Sequence, residues 1–96
     1  MTVYLTKRPE ADREVSLAWD ELHPGEAVAE DLGWLIIPQE LDAAALRLTA
    51  CWTDAVRSVA RVAGGRAGHL YHVSARVRTS AGRVLSRATL LRVAAA

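Results

Sequence analysis

The pattern that most restricts how this chain can fold lies near its C-terminal end. Tyr71, Val73, Ala75 and Val77 alternate with His72, Ser74, Arg76 and Arg78, the period of a strand with one dry and one wet face. Ser80-Ala81-Gly82 follows, and then a second apolar, branched run from Val84 to Val93. Two such runs joined by about three residues ending in glycine predict a β-hairpin, with Gly82 supplying a positive φ. Upstream, Gly64, Gly65 and Gly68 break the chain between a Ser58–Ala63 run and the hairpin. Roughly a third of the protein therefore reads as three consecutive antiparallel strands.

The rest of the chain carries the same signature. Thr2–Thr6 reads as a short first strand, with Val3 and Leu5 on one face and Tyr4 on the other. Pro9 ends it by removing a ladder donor. Residues 1–14 are either a short edge strand or an arm that orders on a neighbour. Val15, Leu17 and Trp19 alternate with Glu14, Ser16 and Ala18 as a second strand. Asp20-Glu21-Leu22 fits one helical turn, and His23-Pro24-Gly25-Glu26 reads as a turn. Ala27–Asp31 is read as a strand in preference to a helix, because Pro-Gly precedes it and Gly33 closely follows. Trp34–Ile37 is a buried apolar strand stopped by Pro38. Gln39–Ala44 is a loop or a single helical turn, followed by alternation of Leu46, Leu48, Ala50 and Trp52, and then by a strand within Ala55–Ala63.

The tally is about seven short antiparallel strands, which predicts an all-β chain: a single immunoglobulin-like or fibronectin-like β-sandwich over residues 1–96. The Gly68-x-x-Tyr71-x-Val73 spacing resembles the start of the penultimate strand of such sandwiches, where a tyrosine folds back to bond the backbone. An ordinary core aromatic is the alternative for Tyr71. Half the residues are apolar, but Phe is absent, so Ala, Val and Leu must fill most of the interior. No apolar run approaches the ~18–20 residues that span a bilayer, and the N-terminus lacks the apolar core of a signal peptide. The single Cys51 has no partner for an internal disulfide and no activating base near it, so it is expected to be a buried small apolar residue in a reducing compartment.

Catalytic constellations are missing from the pattern. His69 and His72 are three apart on a strand and point to opposite faces, so they do not chelate one metal; His23 is remote, and no cysteine cluster completes a zinc site. Asp20-Glu21 and Glu30-Asp31 read as solvated loop carboxylates rather than an acid/base pair. The Gly64–Gly68 stretch precedes a strand rather than a helix and lacks the Lys-Ser/Thr of a phosphate cradle, so turn geometry explains its glycines. Ser58, Ser74 and Ser86 lack a nucleophile elbow. The expectation is a non-enzyme with no cofactor and no metal.

Charge is the remaining signal. Through Leu48, four basic residues face ten acids, a net −6; from Thr49 onward, eight arginines face Asp54 alone, a net +7. Three readings stay open: arginines that merely solvate strand faces, a footprint for nucleic acid or for an acidic protein surface, and head-to-tail assembly of successive copies. Arg76 and Arg78 on one strand and Arg83 and Arg87 on the next are expected to form a cross-strand basic patch. Aromatics are not interleaved with them, which disfavours nucleic acid. With Thr89, Leu91 and Val93 facing the core, Leu90 faces outward beside Arg92. On a final, edge-type strand that suits an assembly contact.

The segment from Val62 to Val93 resembles the C-terminal half of small tailed-phage proteins, the phage fiber-tail adaptors. The shared positions are Gly64, Gly65, Ala67, Gly68, Tyr71, Val73, Arg76, Thr79, Gly82, Arg83, Arg87, Leu91 and Val93. More loosely, Lys7-Arg8-Pro9, Ala18-Trp19-Asp20, Gly25-Glu26 and Trp34–Pro38 recur in order. Ala63 departs from the family's serine before the glycines, and the strands here are rich in Ala and Arg rather than in Ser and Thr. The resemblance implies a structural protein of a tailed-phage virion, made in the host bacterial cytoplasm and present in several copies in a symmetric assembly. It would link tail or connector to a fibre. The alternatives are a head-decoration or head-to-tail connector module and, from another class, an Arg-rich nucleic-acid-binding module. The partner residues to test are Arg76, Arg78, Arg83, Arg87, Leu90 and Arg92. Gly64, Gly65, Gly68, Tyr71 and Gly82 are the structural ones.

Overall fold

Period-two alternation dominates the chain, and strands are what it forms. The structure, a computed structural model, describes residues 4–94. It contains seven strands: β1 (Tyr4–Lys7), β2 (Arg13–Ala18), β3 (Val28–Ile37), β4 (Arg47–Thr53), β5 (Arg57–Ala63), β6 (Leu70–Thr79) and β7 (Val84–Val93), with no helix among the described residues. They form a four-stranded sheet in the order β1-β7-β6-β3 and a three-stranded sheet in the order β2-β5-β4. The arrangement is a sandwich of the immunoglobulin-like kind: β2, β5 and β4 stand where that fold has its B, E and D strands, and β3, β6 and β7 where it has C, F and G. Thr2 and Val3 of the expected first strand lie outside the described residues.

The core is what the alternation placed inside. Val15 and Leu17 of β2, Val62 of β5, Tyr71, Val73, Ala75 and Val77 of β6, and Leu91 and Val93 of β7 are all buried between the sheets, with Trp19 and Leu46 at the margins. Valines dominate because a β-branched side chain fits the pleated face of a strand at little entropic cost. Trp19 brings a polar handle inside, and a relay satisfies it. Its Nε1–H donates to Ser58 Oγ (2.9 Å), Ser58 Oγ lies 3.1 Å from Thr53 Oγ1, and Thr53 Oγ1 donates to Asp31 Oδ2 (3.2 Å). This chain crosses from β2 through β5 and β4 to β3, so it laces one sheet to the other and ends at a carboxylate near solvent.

Three features differ from the sequence reading, each for a long-range reason. β5 does not continue into the hairpin's sheet: it pairs with β2 and β4, and Gly64–Gly68 carries the chain across the sandwich. β1 pairs with β7 in parallel, Leu5 opposite Leu91, so the pairing is not antiparallel throughout and β7 is an interior strand rather than an edge. The runs at Ala27–Asp31 and Trp34–Ile37 are one ten-residue strand, β3, kept continuous by register shifts between Val28 and Glu30 and between Asp31 and Gly33. Asp20-Glu21-Leu22 forms a single turn, with Leu22 N–H donating to Trp19 O (3.4 Å).

A bulge between Leu48 and Ala50 reverses parity in β4. Leu48, opposite Val62, faces the other sheet. Past the bulge, Ala50 and Trp52 lie opposite Arg61 and Val59 on the outer face. Cys51 lies opposite Ala60, on the inward parity, yet on the edge strand β4 it is exposed, not the buried small apolar residue expected from its lack of a partner or activating base.

Candidate functional site

The outer face of the four-stranded sheet brings most of the sequence-selected residues together. On β6 the parity that buries Tyr71, Val73, Ala75 and Val77 turns Leu70, His72, Arg76 and Arg78 outward. Register then places neighbours beside them. His72 lies between Ile37 of β3 and Leu90 of β7, Ser74 between Leu35 and Ala88, Arg76 between Gly33 and Ser86, Arg78 between Glu30 and Val84, and Leu70 beside Arg92. One end of the face is therefore apolar: Leu35, Ile37 and Leu70 are each about half exposed and Leu90 is half-buried. Toward the other end stand Arg76 and Arg78. Arg78 pairs with Glu30 (3.2 Å), whereas Arg76, and Arg92 beside Leu70 at the apolar end, have no carboxylate within salt-bridge distance among the described residues.

Arg83 and Arg87 are not part of this face, so the four-arginine cross-strand patch does not form. Arg87 stands opposite Ala75, on the inner side of the sheet. Its Nη1 donates to Ala18 O (3.0 Å) and Asp20 Oδ2 (3.2 Å) and lies 3.6 Å from Glu21 Oε1. Arg83 donates through Nε and Nη2 to the two Glu26 oxygens (3.0 and 2.5 Å) and through Nη2 to Glu21 O (2.9 Å). The two side chains rivet the β6–β7 hairpin to the β2–β3 connection. The signal was present in the parity: if Thr89, Leu91 and Val93 face inward, so do Arg87 and Arg83.

Glu26 is the centre of that rivet. Its side chain is 4% exposed. Beyond Arg83, it accepts from Thr79 Oγ1 (2.6 Å) and His23 N–H (2.9 Å). Arg83 first, then His23 and Thr79, hold its carboxyl well below the usual carboxylate range. A folded pKa below the unfolded value near ~4.3 means that the contribution is complete above about pH 5 and is lost as pH falls. Glu26→Gln is accordingly expected to be less stable than the wild type at neutral pH, with the gap narrowing steadily on acidification. Urea midpoints of both proteins across the acid range test this; a gap that stays constant with pH would count against the assignment.

The glycine-rich connection and Tyr71 frame the opposite end of the sandwich. Tyr71 Oη accepts the Arg66 N–H (2.9 Å) and donates to Glu40 Oε1 (2.6 Å), which ties the β5–β6 and β3–β4 connections together. Burial, and then the Glu40 carboxylate, push the phenol above its ordinary value against the opposing pull of the Arg66 N–H. Glu40 also lies 3.3 Å from Arg66 Nε and 3.5 Å from His69 Nδ1, and Arg66 pairs with Asp42. His69 thus belongs to this network, while His72 sits on the outer face. Gly68 and Gly82 have positive φ in open turns; Gly64 and Gly65 combine positive φ with close packing.

Chemically, the outer face offers two free guanidinium groups beside an uncovered apolar row, the composition of a surface that docks a protein. Four strands at ~4.8 Å spacing and ~30 Å length give it a plan area of roughly 500 Å².

Comparison with known proteins agrees in kind. A family model, Podophage GP4 fiber-tail adaptor protein gp77, matches residues 7–92 of the 96. Among curated proteins no match to the chain was found.

Proposed function

The chain belongs to the podophage GP4 fiber-tail adaptor protein gp77 family, a family of structural phage adaptors, and from that premise we propose that it joins the tail or connector of a virion to a fibre, without catalysing a reaction. It is made in the host cytoplasm and acts as a set of copies in a symmetric assembly. Each copy presents the outer face of its four-stranded sheet to a virion protein whose surface pairs apolar side chains with carboxylates. The observation that carries this reading is the juxtaposition of Leu35, Ile37, Leu70 and Leu90 with the unpaired Arg76 and Arg92. Multiplicity suits the modest face, because linked weak contacts multiply into avidity.

The test is binding of the full chain to the purified tail and fibre proteins of its own virion. Arg76→Glu with Arg92→Glu is expected to weaken binding of one of them tenfold or more, ~1.4 kcal/mol or above, with the melting temperature nearly unchanged because both side chains are exposed. Unaltered binding of both proteins would remove the face from the interface. Binding of nucleic acid instead, falling steeply with added salt, would favour the other class of function.

A further inference from the structure

The sandwich is not closed along the side where β3 and β4 form its edges. At one end of this seam the sheets are tied: Val28 N–H donates to Ala55 O (2.9 Å), and Thr53 Oγ1 to Asp31 Oδ2 (3.2 Å). Toward the other end they part around a groove of about 300 Å³, lined mainly by Trp34, Ile36, Leu46 and Leu48, with Leu41, Gln39 and Glu40 also on its wall. Leu41 is fully exposed.

Three properties of the seam specify what would fill it. Both rims are strand edges, and the free edge of a strand offers backbone donors and acceptors to another extended chain. The lining around Trp34, Ile36, Leu46 and Leu48 takes apolar side chains. The tied end is acidic: Glu30, Asp31 and Asp54 border it, and Arg78 on Glu30 is the single cation within salt-bridge distance of them among the described residues. From Trp34 to Asp31 along β3 is three residues, about 10 Å.

We infer that this seam binds an extended segment of a partner protein, apolar at alternate positions where it meets Trp34 and Leu48, and carrying a Lys or Arg three to five residues further along, against Glu30, Asp31 and Asp54. The inference rests on the adaptor reading only for the source of the segment, a tail or fibre protein. It adds a contact distinct from that of the outer face.

Fifteen-residue peptides tiling the tail and fibre proteins of the same virion, presented to the full-length protein, test the inference. The expected result is capture of a peptide with this apolar-then-basic pattern. Leu48→Asp, at a partly exposed position, is expected to weaken that binding at least tenfold, as is replacing the peptide's Lys or Arg by Glu. The Trp34 indole N–H resonance should shift on binding, and Arg76→Glu with Arg92→Glu should leave peptide affinity unchanged. No captured peptide, capture indifferent to Leu48→Asp, or self-association of the protein abolished by Leu48→Asp would each overturn it; the last would make the occupant a second copy. If intact tail or fibre protein binds through Arg76 and Arg92 while no peptide enters the groove, the adaptor reading stands and this inference falls.

Discussion

Gly65→Ala is expected to lower stability by about 2–5 kcal/mol, a large share of the ~5–14 kcal/mol that a chain of this length possesses. Two costs combine. Gly65 has φ +94°, where a side chain is strained by about 1–2 kcal/mol. An added Cβ would also stand 2.7 Å from Val93 Cγ2, with Leu46 Cδ1 at 3.4 Å and Tyr71 Cε2 at 3.5 Å. Those neighbours belong to the buried core and cannot simply swing away, and overpacking of this kind costs about 1–3 kcal/mol. The melting temperature should fall by about 8–40 °C at ~4–8 °C per kcal/mol. Gly68→Ala is the internal control. Its φ is +81°, but nothing lies within 4 Å of the added Cβ, so the backbone term of about 1–2 kcal/mol stands alone. If thermal melts place the two variants together, packing at Gly65 contributes nothing and the argument from close approach fails.

The need for glycine at these positions explains part of what could be read in advance. The β6–β7 hairpin was legible because strand alternation and turn chemistry are both local, and Gly82 sits at φ +84° in the turn that the sequence marks. Long-range choices were not legible. Nothing near Ser58–Ala63 states which sheet β5 joins; its partners at Arg13–Ala18 and Arg47–Thr53 decide that. The bulge in β4 is invisible for a similar reason. Leu48, Ala50 and Trp52 keep perfect alternation in sequence while one register shift against β5 moves Ala50 and Trp52 to the outer face. The parallel β1–β7 pair depends on a chain end meeting a strand some ninety residues away.

The candidate face divides along the same line. Arg76, Arg78, Leu90 and Arg92 follow from strand parity and register, and the structure sets them on one surface. Arg83 and Arg87 share their composition and differ in their partners, Glu26, Asp20 and Glu21, which are more than fifty residues distant. The lopsided charge of the two halves is in part these internal pairs: acids of the N-terminal half meet arginines of the C-terminal half within one molecule. Among the described residues this pairing leaves over Arg57, Arg61, Arg76 and Arg92, of which Arg76 and Arg92 stand on the outer face of the four-stranded sheet.

Tyr71 carries the second large expected effect, and two substitutions separate its parts. Tyr71→Ala removes a fully buried ring and should cost about 3–5 kcal/mol, the usual range for deleting a buried aromatic. Tyr71→Phe keeps the ring and removes only the hydroxyl. The Arg66 N–H then loses its acceptor and Glu40 loses a donor. Leaving such groups unpaired at a partly buried site costs about 1–3 kcal/mol. Glu40→Gln is the complementary change, since Glu40 also braces Arg66 and His69. If the hydroxyl works through Glu40, the double variant should be less than additive, with a coupling of about 0.5–3 kcal/mol. Chemical denaturation of the four proteins measures it. Strict additivity would mean that the hydroxyl serves the Arg66 backbone alone. Less-than-additive loss would mean that one network holds the connection before β6 and the loop bearing Glu40 and Leu41 together. That loop borders the groove between β3 and β4, so loosening it should alter the groove's shape even where Leu46 and Leu48 are untouched.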